Sequence, residues 1–185
     1  MSQPEPLEGN APGSGAAGPD GANDAPAGPD YEGLLLRAGF NYHVFIAAAM
    51  GHAREHGGSA EEFIAWAAER LGTSWTGLRG HGADAVLGLI LENLASTGYA
   101  VRDVQAGADL SRAVVGAVPL GLEADQWQQL LAPFGVTAAD MHALFRIFIP
   151  LGRSAGASVD LAGMRDTLQI TVRRDVEGDR PDLDG

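Results

Sequence analysis

Apolar residues fall into separate runs along this chain, and the spacing inside each run names the element it builds. The first run, "YEGLLLRAGFNYHVFIAAAMGHAREH", opens at Tyr31 or Glu32 and closes at His56. Its middle is apolar on nearly every side, which predicts a long helix buried between other elements, with Gly39 as the point where it could break. Gly57-Gly58 ends it, as glycines commonly end helices. Ser59 followed three residues later by Glu62 has the spacing of a capping box and opens a second helix. Phe63, Trp66, Ala67 and Leu71 share one side of it at spacings of three and four, which predicts its core stripe, and Gly72 ends it. "TSWTGLRGHG" reads as a connection. A third helix covers 83–96, "ADAVLGLILENLAS", again apolar apart from Glu92 and Asn93, with Gly98 as its stop.

The character then changes. "YAVRDVQ" (99–105) and "RAVVGAV" (112–118) are short and rich in Val, with "AGAD" between them, and predict a hairpin. A short helix follows at 123–132, with Glu123 and Asp125 in the first turn, where the helix dipole favours negative charge, and Pro133 closing it. Thr137 and Asp140 have N-cap spacing and open another helix, with Met141, Leu144, Phe145, Phe148 and Ile149 as its stripe and Pro150 as its end. Last, "GASVDLAG" and "DTLQITVRR" flank "AGMRD". Leu168, Ile170 and Val172 alternate with Gln169, Thr171 and Arg173, the strongest strand pattern in the chain, and a second hairpin is expected. No strand–helix–strand alternation of the parallel kind occurs. The expected class is α+β: an antiparallel sheet of about four strands in two hairpins, packed against a layer of helices.

Composition sets the limits of this domain. Residues 1–30 are rich in Pro, Gly, Ala and Asp, with one Leu and no aromatic residue, too little apolar surface to offset the entropy of ordering, so a disordered tail is expected there. Residues 174–185 read as a second loose, acidic tail. That leaves 31–173 as one globular domain, long enough for a real core.

Charge and missing residue types exclude much chemistry. The net charge is −12, much of it from Glu5, Glu8, Asp20, Asp24 and Asp30, and the first basic residue is Arg37. The chain has no Lys, which rules out Schiff-base lysines and a P-loop. It has no Cys, which rules out disulfides, thiolate metal sites and thiol nucleophiles. No dense Arg cluster suggests nucleic-acid binding. The order of basic and apolar residues is not that of a signal peptide, and Val44–Met50 is too short to span a bilayer. A soluble, cytoplasmic protein is the expectation.

Candidate chemistry centres on "GHAREHG". His52 and His56 are neighbours on a helix and could share a divalent metal such as zinc. The pattern His-x-x-Glu-His resembles that of inverted zinc peptidases, which casts Glu55 as general base. The likeness covers five residues and needs a further carboxylate ligand, for which Glu92 and Glu123 are available. The plain alternative is a solvated last turn, where His and Arg favour the helix dipole. Glu92 interrupts an apolar helix and is a second acid/base candidate, unless its side faces water. His43 lies in an apolar context with Asn41 and Tyr42 at hand. His81 sits between glycines. Trp75 is expected to pack its loop onto the core; with Arg79 four residues on, it could instead line a pocket or make a cation–π contact.

Two functional readings follow. In one, the domain binds or transforms a small molecule, with His52, His56, Glu92 and His81 as polar groups and metal-assisted hydrolysis or lyase chemistry if it is an enzyme. In the other, it is a metal-free accessory or protein-interaction module whose function lies in an apolar helical surface.

Overall fold

The computed structural model describes residues 30–164 and 166–175. Residues 1–29 and 176–185, where tails are expected, lie outside them. The chain forms α1 (Tyr31–Glu55), α2 (Ala60–Trp75), α3 (Ala83–Ser96), β1 (Tyr99–Gln105), β2 (Leu110–Pro119), α4 (Ala124–Leu131), α5 (Ala138–Ala143), α6 (Phe148–Ser154), β3 (Ala157–Met164) and β4 (Thr167–Arg174). Short 3₁₀ turns extend α2, α4 and α5. The class is α+β, as the patterning predicts.

The starts of α1, α2 and α5 follow from side-chain caps. The Asp30 carboxylate accepts from the Gly33 N–H at 2.9 Å and opens α1. Ser59 and Glu62 form the expected reciprocal box at α2, and Thr137 and Asp140 form another at α5. Gly57, at φ +83°, turns the chain out of α1 in a conformation other residues resist. Gly39 does not break α1.

Four strands form one antiparallel sheet in the order β1-β2-β4-β3. Each hairpin pairs within itself, and β2 joins them by running against β4, from Leu110 opposite Arg173 to Gly116 opposite Thr167. The Ser111 hydroxyl closes the first hairpin loop, accepting from the Gly107 N–H and donating to its carbonyl. β4 continues through Arg174, whose N–H donates to Asp109, one residue beyond the expected domain limit. The edge strand β1 is irregular, with register shifts at both ends and Asp103 at φ +46°, which blunts it as a template for another strand.

Two clusters of buried side chains hold this arrangement. The larger packs Val86, Leu87, Ile90 and Leu94 of α3 against Ala113, Val115, Val159, Ile170 and Val172 of the sheet, with Trp75, Phe145, Phe148 and Leu151 beside them. The smaller joins Ala47 and Met50 of α1 to Ala60, Trp127, Leu131, Val136 and Met141.

Three local expectations change. The core side of α2 is Ala60, Ile64, Ala68, Gly72 and Trp75, while Trp66 and Leu71 are exposed. Two apolar stripes compete on this helix, and the one carrying the small Ala68 and Gly72 wins because it lets α2 approach α6; a Cβ on Gly72 would lie 3.0 Å from the Ser154 hydroxyl. Pro150 stands in the first turn of α6 instead of ending a helix, a position where its missing N–H has no partner to lose. Finally, α1 is not enclosed. Its buried residues are Gly39, His43, Ala47, Met50 and Gly51, all on one side.

Gly51 marks the closest contact of that side. A Cβ there would run into the Phe134 carbonyl oxygen. Replacing a helical glycine by alanine ordinarily gains about 1 kcal/mol. Here Gly51→Ala is expected to lose roughly 1–3 kcal/mol, because backbone must move. Chemical denaturation of the two forms gives the sign directly.

Candidate functional site

The end of α1 positions "HAREH". His52, Glu55 and His56 are all exposed. The His56 Nδ1–H donates to the His52 carbonyl at 2.8 Å, and the two rings lie 4.2 Å apart, centroid to centroid. Arg54 points the other way: it pairs with the Asp140 carboxylate and donates to the Gly135 carbonyl at 2.7 Å, tying α1 to the start of α5. Burial works against the charged form of Asp140, but the hydrogen bonds from Arg54 and Thr137 outweigh it and hold the carboxyl below its ordinary value.

The other candidates lie elsewhere. Glu92 is on the solvent side of α3, beside Asn93, whose side-chain amide donates to the Leu89 carbonyl. Glu123 stands at the N-cap of α4, its N–H donating to Gln126. His81 is exposed in the turn before α3. Among the described residues, no three His, Asp or Glu side chains come together closely enough to hold a metal ion. His52 and His56 therefore offer two nitrogens and need a third ligand from outside this set. Metal analysis of tag-free protein beside His52→Ala/His56→Ala is expected to give the same content in both, with folding stability changed by no more than about 0.5 kcal/mol. Stoichiometric metal lost in the double variant would restore the hydrolytic reading.

His43 is a different matter. It is buried, and its Nε2–H donates to the Thr97 carbonyl at 2.8 Å. Tyr42, Tyr99 and Trp127 meet the imidazole edge to face, with centroids 5.2–5.5 Å away. The partner in the structure is a carbonyl 54 residues away, which local sequence could not suggest. Burial pushes the imidazole pKa down, and the Thr97 hydrogen bond opposes this without cancelling it. Burial also pushes Tyr99 well up, with Tyr42 adding to it. Among the described residues, His43 Nδ1, an acceptor in this tautomer, and the Trp127 indole N–H are buried without partners.

The depressed His43 pKa sets a pH dependence. The unfolded chain takes up the proton near 6.5, before the folded one does, so stability present above that value is lost as pH falls below it. Asp140, with a lowered carboxyl pKa, weakens the fold only further down, below its ordinary 3.8. Melting temperature is expected to decline between pH 7 and 5 in the native chain, and the decline is expected to flatten in His43→Phe.

Clefts open on the surface of the described residues. One of about 550 Å³ lies between α2 and α6, lined by Ala65, Ala68, Glu69, Gly72, Thr73, Thr76, Pro150 and Ser154. One of about 240 Å³ lies between Leu36, Arg37 and Phe40 of α1 and the Pro119–Leu122 turn. Neither is lined by His43, His52, Glu55, His56, His81 or Glu92.

The least expected surface is the outer side of α1. Tyr31, Leu35, Ala38, Tyr42, Phe45, Ala49 and His52 follow one another at spacings of four and three, and every one is exposed. Tyr31 keeps 75% of its surface, Phe45 74% and Tyr42 49%. This is the spacing of a coiled-coil seam. A smaller aromatic patch lies on α2, where Phe63 stacks near Trp66 and the Arg70 guanidinium sits 4.4 Å over the Trp66 ring. A cation–π pair at four-residue spacing forms at Trp66 and Arg70, while Trp75 packs onto the core as expected. Trp75 is buried against Phe148, and Arg79 donates to the Ser154 carbonyl. No single helix among the described residues is long and apolar enough to cross a membrane. No family model, curated protein sequence or solved structure matches the chain.

Proposed function

We propose that this chain is a protein-interaction module that works by laying the outer side of α1 against a helix of another molecule. One observation carries the reading: seven successive seam positions of α1, from Tyr31 to His52, are exposed, and six of them are apolar or aromatic. Exposed apolar surface of that extent is unfavourable unless something covers it. A seam at the 3.5-residue period suits another helix, whose side chains would fit between those of α1. α2, α4 and α5 serve this face by holding α1 from behind through Ala47, Met50 and the Arg54–Asp140 pair.

A photo-reactive phenylalanine analogue at position 45, in the cells that make the protein, tests the reading. A position on the sheet, Arg173, is the control. Discrete protein adducts at 45 and none at 173 are expected. No adduct at 45, or equal adducts at both, would overturn it.

A further inference from the structure

Resting on that reading, we propose that the molecule covering α1 is a second copy of this chain, its α1 running antiparallel to the first. The order of side-chain sizes along the seam points to this pairing. Set Ala38 of one copy opposite Tyr42 of the other, and Leu35 then meets Phe45 while Tyr31 meets Ala49. Two-fold symmetry repeats each meeting, giving six layers. Both alanines face a tyrosine, and the leucine faces the phenylalanine, so every layer sets a smaller side chain against a larger one, as close packing requires. A parallel pairing in register puts Tyr on Tyr and Ala on Ala, alternately overfull and empty. An antiparallel pairing shifted by seven residues sets Ala38 against Ala49 and Tyr42 against Phe45, with the same fault.

Charge and area agree. Between Glu32 and Glu55 the seam is flanked by Gly39, Ile46 and Ala53 on one side and Leu34, Asn41 and Ala48 on the other, all uncharged. A chain of net charge −12 would otherwise repel its copy. The exposed parts of Tyr31, Tyr42 and Phe45 amount to about 400 Å² per copy, or about 800 Å² for a pair before any aliphatic side chain is counted. That approaches the ~1,000 Å² expected of a specific interface. The chain's own residues 1–29 suit the seam poorly, since they contain one Leu and no aromatic residue.

Sedimentation equilibrium of the full, tag-free chain across a concentration series tests the pairing, together with cysteine cross-linking in a protein that has no other thiol. A reversible dimer is expected. Phe45→Glu is expected to weaken it roughly a hundredfold or more while leaving circular dichroism unchanged, because Phe45 does not reach the core. Tyr31→Cys mixed with Ala49→Cys is expected to give a cross-linked heterodimer on mild oxidation, with little product from either variant alone. Same-site cross-links would overturn the antiparallel register, and a dimer indifferent to Phe45→Glu would overturn the seam. A monomer at every concentration overturns self-pairing. If position 45 still forms adducts with another protein in cells, the interaction reading survives that result. If it forms none, both fall.

Discussion

Trp127→Ala is expected to remove about 3–5 kcal/mol of folding stability, while Trp66→Ala is expected to remove no more than about 1 kcal/mol. Both residues sit on amphipathic helices, and patterning alone ranks Trp66 as core. The structure reverses that ranking. Trp127 keeps 1% of its surface exposed and fills the space between α4, α5 and α1, with its ring edge-on to His43. Truncating it opens a large cavity in the smaller core and leaves the His43 imidazole without one of its three aromatic walls. Trp66 lies outside, half exposed, in contact with Phe63 and Arg70. A domain of this size has roughly 5–15 kcal/mol in total, so the first substitution brings it near the threshold of unfolding. Urea melts of both variants measure the contrast.

Ile90→Ala is expected to cost about 2–5 kcal/mol, and to act on a different part of the molecule. Ile90 is fully buried at the centre of the contact between α3 and the sheet. The two buried clusters share α2 but otherwise draw their buried residues largely from different helices and the sheet, so their losses differ in kind. Loosening Trp127 is expected to speed hydrogen exchange first in α1, α4 and α5. Loosening Ile90 is expected to speed it throughout, since α3 packs on β1, β2 and β4 alike. Exchange that rose evenly in both variants would mean the two clusters open as one.

The strands were legible because they are short, Val-rich or alternating, and bounded by turns. β1 matches its predicted limits, and β4 differs from its predicted hairpin arm by a residue or two. The caps at Ser59 and Thr137 were legible because capping chemistry is local. What patterning missed is non-local. Whether Trp66 and Leu71 or Ile64 and Ala68 face inward depends on how closely α6 approaches, which no property of α2 alone records. The same holds for α1, where apolar residues all round predict burial. The described chain covers one side only, and the uncovered side is the candidate surface. Its four-three spacing was readable in the sequence, but it was mixed with the inner set of Gly39, His43, Ala47 and Met50 until the packing separated them. The "HAREH" pair is placed where it was expected, at the last turn of α1, and its weight as a site depends on a third ligand that the described residues do not bring to it.

The proposed interaction requires the outer side of α1 to be covered in the working protein. Hydroxyl-radical footprinting of Tyr31, Tyr42 and Phe45, in cells and in the dilute purified chain, measures it most directly, with Trp66 as an exposed reference. Strong protection of the three seam residues is expected in cells and is lost on dilution, while Trp66 reacts equally in both. Equal modification of Tyr31, Tyr42 and Phe45 in the two settings would contradict it.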